Sequence, residues 1–338
     1  MRKSFFKLAG ILIMLGVAVI GWGWKEYTTF VDTPLTVSTE GAGLNVVPGT
    51  TFSSLAKQLQ SQGVLGDTRL FRIMVRLHGK GNQLKAGDYF ISNGTTPRQL
   101  LQQLVEGRVR QYSMTLLEGW NFRQVMQAVN AEPHLNHTLN GLSDSEIMSR
   151  IGQPGCHPEG RFYPDTYQFP RGLTDVEFLQ RAFSAMQEHL AYEWSQRDSD
   201  LPLKSDYEAL ILASLVEKET GQAADRPMIA GVFTRRLKLG MRLQTDPAVI
   251  YGLGETFDGN LRRRDLEGEG PYNTYRITGL PPTPIAMPGG ESLHAALHPA
   301  AGKELYFVAR GDGSSQFSAT YEEHERAVKE FQLKQRLK

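Results

Sequence analysis

Residues Ile211 to Gly221 read ILASLVEKETG, and the placing of two glutamates in this run decides how the chain folds around it. Upstream, Ser205-x-x-Glu208 has the spacing of a capping box and predicts a helix start. Gly221 predicts its end. Nearly every position between is apolar, the pattern of a helix buried on most of its surface. At about 100° per residue, Glu217 falls between Leu210 and Ala213, with Ala209 nearby. Glu219 shares a face with Glu208 and is expected to meet water. A carboxylate on an apolar face is costly unless it is paired or protonated. Glu217 is therefore either a buried residue paired with an arginine or a carboxyl kept for chemistry.

The rest of the chain bounds the setting. Its 338 residues suffice for two domains with real cores. A net charge of +1 gives no pull toward nucleic acid, and no nucleic-acid partner is expected. The single cysteine, Cys156, excludes an internal disulfide and reads as a small semi-buried thiol. MRKSFFK is basic, and the run from Leu8 to Trp24 is uncharged and apolar, near the lower limit of what spans a bilayer. Arg2, Lys3 and Lys7 would hold the start in the cytoplasm, with Trp22 and Trp24 at the far interface. No small-x-small cleavage site follows, so an uncleaved anchor is expected with the body outside the cytoplasm. Chemistry that depends on ATP or NAD is disfavoured there, and no cofactor is expected.

A polar, Thr-rich stretch from Phe30 to Glu40 reads as a stalk. A pattern then recurs at Val46–Leu59, Phe90–Leu104 and Leu116–Val129: a short strand, a Gly turn with a Thr or Asn cap, and an amphipathic helix. GTTFSSLAKQL and GTTPRQLLQQL are close enough to suggest related β-turn-α units. The Gly/Pro-rich stretch Ile151–Gly172 follows, then helices around Glu217, Pro- and Gly-rich loops from Leu243 to Gly290, a strand at Glu304–Arg310 and a closing helix at Thr320–Lys338. The expected architecture is α+β: a cytoplasmic N-terminus (1–7), a transmembrane anchor (8–24), a stalk (25–40), a small α+β domain (41–107) and a larger α+β catalytic domain (108–338).

Four constellations could carry chemistry. His294 and His298 in ESLHAALHP have helix spacing for zinc, but no H-E-x-x-H glutamate and no third ligand is evident. They read as helix-surface histidines, and no metal is expected. Ser292 lacks the glycine that a nucleophile elbow requires at His294. Lys218 would need pyridoxal outside the cytoplasm to act as a Schiff base. Glu217 remains: a glutamate in an apolar pocket has its pKa raised and can protonate the leaving oxygen of a glycosidic bond. Sugars also need rings and polar partners. Asp246 and Tyr251 in QTDPAVIYG, Asn273 and Tyr275 in PYNTYRITGLPP, and Asp165 and Tyr167 in FYPDTYQFP are the candidate binding residues.

Together, ILASLVEKETG, EGRFYPDTYQFP, LQTDPAVIYGLG, PYNTYRITGLPPTPIAMPG and FSATYEEHERAV resemble the YceG-like (MltG) family of endolytic murein transglycosylases, in family order and over nearly the whole chain. The resemblance implies cleavage of the MurNAc-β-1,4-GlcNAc bond within nascent glycan strands. The products are 1,6-anhydroMurNAc ends, no water is consumed, and strand elongation stops. It places the catalytic glutamate of V-E-K-E on Glu217 and makes the β-turn-α region a LysM-like subdomain. It also implies an inner-membrane protein with its catalytic domain in the periplasm and peptidoglycan synthases as partners. The alternatives are a non-catalytic wall-binding scaffold and a muramidase, for which Asp246 is the candidate second carboxylate.

Overall fold

A computed structural model describes residues 2–333. The chain forms two compact units, one running to Tyr112 with Phe169–Arg171, the other made of Ser113–Gln168 and everything from Gly172 onward. The first contains α1 (Arg2–Asp32), β1 (Ala42–Val46), α2 (Phe52–Ser61), α3 (Thr68–Leu77), β2 (Gly87–Ile91), α4 (Pro97–Glu106) and the start of β3 (Gln111–Thr115). The second holds α5 (Phe122–Ala131), α6 (Asp144–Arg150), most of β4 (Thr166–Pro170), α7 (Asp175–Gln196), α8 (Asp206–Glu219), α9 (Arg226–Lys238) and α10 (Asp246–Leu253). It continues with α11 (Arg263–Glu267), α12 (Gly290–Leu297), β5 (Tyr306–Ala309), β6 (Ser315–Ser318) and α13 (Tyr321–Val328). Helices with short two-stranded sheets make this an α+β protein.

In the first unit β1 and β2 pair antiparallel, with Leu44 opposite Tyr89. Leu44, Val46, Tyr89 and Ile91 point into a core completed by α2, α3 and α4. The sequence repeat is real as local structure. Gly49 and Gly94 both take φ +84°, which a glycine allows without strain. Thr51 and Thr96 each accept the backbone N–H three residues on, in a full capping box, and a ten-residue helix follows each. The third copy passes from β3 through Gly119 (φ +74°) and the Asn121 cap into α5.

Helix α1 corrects one expectation. Its stretch Phe6–Asp32 is long and apolar enough to cross a membrane, and Leu12, Ile13, Ile20 and Trp22 face outward. The helix does not give way to a free stalk at residue 25. It continues to Asp32, and Val31 and Leu35 are buried in the first unit's core beside Tyr27 and Phe30. Composition reads this stretch as polar, whereas its few apolar residues fall on the side that meets α3 and α4.

The second unit is organised around α8, whose residues from Ala209 to Val216 are all buried. Helices α7, α9, α10 and α12 pack on it, so the helix has no solvent face to mark with polar residues. Ser205 Oγ accepts the Glu208 N–H at 3.2 Å, as its spacing predicts. The Glu208 carboxylate instead takes the N–H of Lys204, so the capping box is displaced by one residue. The helix ends at Glu219, where Thr220 turns extended, before Gly221 is reached. The closing helix is α13, continued by a wider turn to Leu333. The remainder of the helix expected to Lys338 lies outside the described residues, as does Met1 of the N-terminal segment.

Leu212 is fully buried in α8. Leu212→Ala is expected to destabilise the chain by about 2–5 kcal/mol, read as a lower denaturation midpoint. A midpoint like that of wild type would show that α8 is not the centre of the core.

Candidate active site

The Glu217 side chain is only 7% exposed, and it is held at one oxygen. Its Oε2 accepts the Gly289 N–H at 3.0 Å and the Ser292 Oγ–H at 2.7 Å. Both donors belong to the first turn of α12, whose N-terminus is a natural seat for a carboxylate. The Arg226 guanidinium, at the start of α9, lies 3.9 Å from Glu217 Oε1 and 3.8 Å from Glu118 Oε2. Its Nε is buried without a hydrogen-bond partner among the described residues. Burial and the neighbouring Glu217 carboxylate push the Glu118 carboxyl up, with Arg226 pulling it down.

Backbone pairing fixes this arrangement. Gly119 N–H donates to Met287 O at 2.9 Å and Met287 N–H to Trp120 O at 2.7 Å, joining the loop of Glu118 to the loop before α12. Ser214, buried in α8, accepts the Ile285 N–H at 3.0 Å and ties that second loop to the helix carrying Glu217. At Gly289 a Cβ would overlap the Glu118 carboxylate, so any larger residue there would push that side chain aside. Lys218 Nζ donates to Gly119 O at 3.2 Å, a bond that explains this lysine without covalent chemistry.

The expected site residues fall into two groups. Asp246, at the start of α10, is exposed and accepts the Tyr275 hydroxyl at 2.6 Å. Tyr251 donates to Glu159 at 3.0 Å and meets Tyr272 edge-on at 4.9 Å between centroids. Asp165 is exposed and accepts its neighbour's N–H at Thr166. The other two are committed inside the scaffold. Asn273 is 6% exposed, and its amide donates to the carbonyls of Asp265, Leu266 and Gly268 while accepting the Tyr275 N–H. Tyr167 donates to Tyr163 O at 2.7 Å and packs edge-on against Phe178. Both have their donors engaged within the protein.

Glu219 is a second correction. It does not face water with Glu208: it is part-buried, and burial pushes its carboxyl up to about 7, the nearby Asp246 carboxylate adding to the rise and Arg236 opposing it. The wheel gave α8 a polar side that its neighbours cover. Tertiary packing, which a single helix cannot report, decides the face.

A cleft of about 940 Å³ runs between the start of α5, α6 and α10, lined by Arg123, Asn130, Glu159, Lys218, Tyr251 and Tyr272 among others. At its base Glu159 is 3% exposed and accepts the Phe122 N–H at 3.0 Å along with the Tyr251 hydroxyl. Burial pushes its carboxyl up to about 7, against those hydrogen bonds. The cleft passes Gly119 and Lys218, the chain neighbours of Glu118 and Glu217. Size, rings and polar groups suit a strand of sugars.

A buried carboxyl fixed at a helix N-terminus beside a polar, ring-lined cleft is an arrangement suited to acid-base chemistry. A model of the YceG-like family matches residues 44–330, and the chain belongs to that family. It is 32% identical over 305 residues to the endolytic murein transglycosylase of Bacillus subtilis, covering 85% of this chain and 84% of that one. To the endolytic murein transglycosylase of Streptococcus pneumoniae it is 25% identical over 365 residues, 97% of this chain but 65% of the longer protein. The crystal structure of a yceG-like protein from Listeria monocytogenes is similar at a TM-score of 0.53 and 30% identity, over 86% of this chain and 99% of that one.

Glu118, Arg226 and Gly289 were not singled out by the sequence, and Ser292 was weighed only as a nucleophile and set aside. A loop glutamate, a loop glycine and an arginine at a helix start are signals that every globular chain contains. The raised Glu219 gives a test. A carboxyl with folded pKa near 7 and unfolded pKa near 4.5 binds more protons when folded, so its penalty is absent below about pH 4.5 and grows until about pH 7. Glu219→Gln is therefore expected to gain stability relative to wild type as pH rises through that window, by up to about 3 kcal/mol. Parallel stability–pH curves for the two proteins would refute the burial.

Proposed function

We propose that the chain is a membrane-anchored endolytic lytic transglycosylase of peptidoglycan, with Glu217 as its single acid and base. The observation that carries this is the Glu217 carboxyl, pinned at Oε2 by two donors and enclosed by the core. The names of the relatives, endolytic murein transglycosylases, support the substrate. Because Oε2 is occupied, a proton carried by the carboxyl resides on Oε1, which becomes the donating oxygen. Glu217 gives that proton to the glycosidic oxygen as the C1–O bond breaks. The same carboxylate then takes the proton of the C6 hydroxyl as O6 bonds to C1, which closes the 1,6-anhydro ring. Atoms balance without water.

The other residues have supporting parts. Arg226 keeps the Glu118 and Glu217 carboxylates compatible at close range. Asp246 with Tyr275, and Tyr251 with Tyr272, contact the sugars, and Asp165 is a more peripheral contact. Asn273 and Tyr167 hold their loops in shape. The anchor residues 8–24 lie in the inner membrane, the N-terminus is cytoplasmic, and the catalytic part acts in the periplasm on nascent strands beside peptidoglycan synthases. The unit containing β1 and β2 is LysM-like and guides the strand. A muramidase reading has one observation in its favour: Arg226 stands beside both the Glu118 and Glu217 carboxylates, so Glu118 is a further candidate, besides Asp246, to activate water.

Glu217→Gln is expected to keep the melting temperature and lower cleavage of purified murein by about 10²–10⁴-fold. Ser292→Ala, which removes one hydrogen bond to a charged group, should cost about tenfold to a hundredfold. Mass spectrometry of the wild-type fragments decides the chemistry: 1,6-anhydro ends support the transglycosylase, and reducing ends transfer the assignment to hydrolysis with Glu118. Undiminished activity in Glu217→Gln would sink both.

A further inference from the structure

At the far end of α12 from Glu217, side chains from two helices converge. His294 lies on α12 and His298 caps its C-terminus. The third ligand that their spacing could not reveal comes from α7. Glu193 Oε2 is 2.9 Å from His294 Nδ1 and 3.9 Å from His298 Nε2. One ligand atom from each of the three residues lies within 4.8 Å of the others. Ligands at about 2.0–2.1 Å from a tetrahedral zinc stand roughly 3.3 Å apart, a value the two measured edges bracket. Small side-chain rotations would close the shell.

A second observation points the same way. The remaining ring nitrogen of His298, Nδ1, is 3.3 Å from Asp198 Oδ1. A carboxylate in that position holds the proton on Nδ1 and turns the Nε2 lone pair toward Glu193, as carboxylates behind metal-bound histidines do. Asp198 is itself placed by its N–H, which donates to Leu297 O at 3.1 Å. The two imidazoles are 4.4 Å apart between centroids and converge on one carboxylate. Glu193 is 17% exposed and His294 58%, so one side stays open for a water ligand.

We propose that Glu193, His294 and His298 bind a zinc-class divalent cation, with Asp198 as the residue that positions His298. Two imidazoles and one carboxylate favour Zn²⁺ and its late first-row neighbours over Mg²⁺ or Ca²⁺, which take oxygen. The bound ion staples α12 to α7, and α12 is the helix whose first turn holds Glu217. The site itself does not depend on what Glu217 does.

The test uses the full chain in detergent, stripped with a chelator and titrated with Zn²⁺ alone. Binding to the folded state raises the melting temperature saturably. The expected result is such a rise, reversed by chelator, absent in His294→Ala and His298→Ala, and not produced by Mg²⁺. Asp198→Asn should weaken the Zn²⁺ affinity about 10–100-fold and leave the metal-free melting temperature unchanged, which a merely structural aspartate would not. Co²⁺ added to the stripped wild type should give the intense visible absorption of a four-coordinate ion, a readout that needs no variant to fold. A wild-type melting temperature indifferent to Zn²⁺, a shift that survives both histidine substitutions, or only weak six-coordinate cobalt absorption would overturn the assignment.

Discussion

The hydrogen bonds from Gly289 and Ser292 to Glu217 are the constraint on which the rest of the second unit depends. A carboxylate inside a helix buried on nearly all sides is unfavourable unless donors reach it. The N-terminus of α12 provides them, one as the unpaired N–H of its N-cap Gly289 and the other as the Ser292 hydroxyl in its first turn. That requirement sets the position of α12 against α8, and with it the path of the Pro-rich loop before Gly289. It also lets the Glu118 carboxylate lie directly over Gly289, in the space a side chain there would contest. Arg226 completes the arrangement by standing within 4 Å of both carboxylates.

The loops opposite are fixed by a separate device. Gln244 takes φ +55°, the only positive φ at a non-glycine among the described residues. Its N–H donates to Thr274 O at 3.1 Å, and Arg236 donates to its side-chain oxygen at 3.2 Å. Thr245 and Thr274 exchange further bonds between the same two segments. The two loops that carry Asp246 and Tyr275 thus form one body, and the strain at Gln244 is offset by the pairing around it.

How much of this was legible follows from the range of each interaction. The repeated β-turn-α units were readable because strand, Gly and cap are local, lying within a few residues of one another. Glu217 was readable because one helix is enough to show a charge among apolar neighbours. The side of α8 on which Glu219 lies was not, since helices far away in sequence decide what covers it. Asn273 and Tyr167 are sugar-contact candidates by residue type, and only the folded chain reveals that their donors already serve backbone carbonyls. Glu193 stands about a hundred residues from His294, beyond any spacing rule.

The continuation of α1 into the first unit's core changes the mechanics of the anchor. A polar tether would let the first unit wander over a wide range of heights above the bilayer. Here the eight residues from Lys25 to Asp32 stay helical, and Val31 is locked among core side chains. The apolar helix and the first unit are therefore one continuous piece, so a force applied to the helix passes directly into the unit's core.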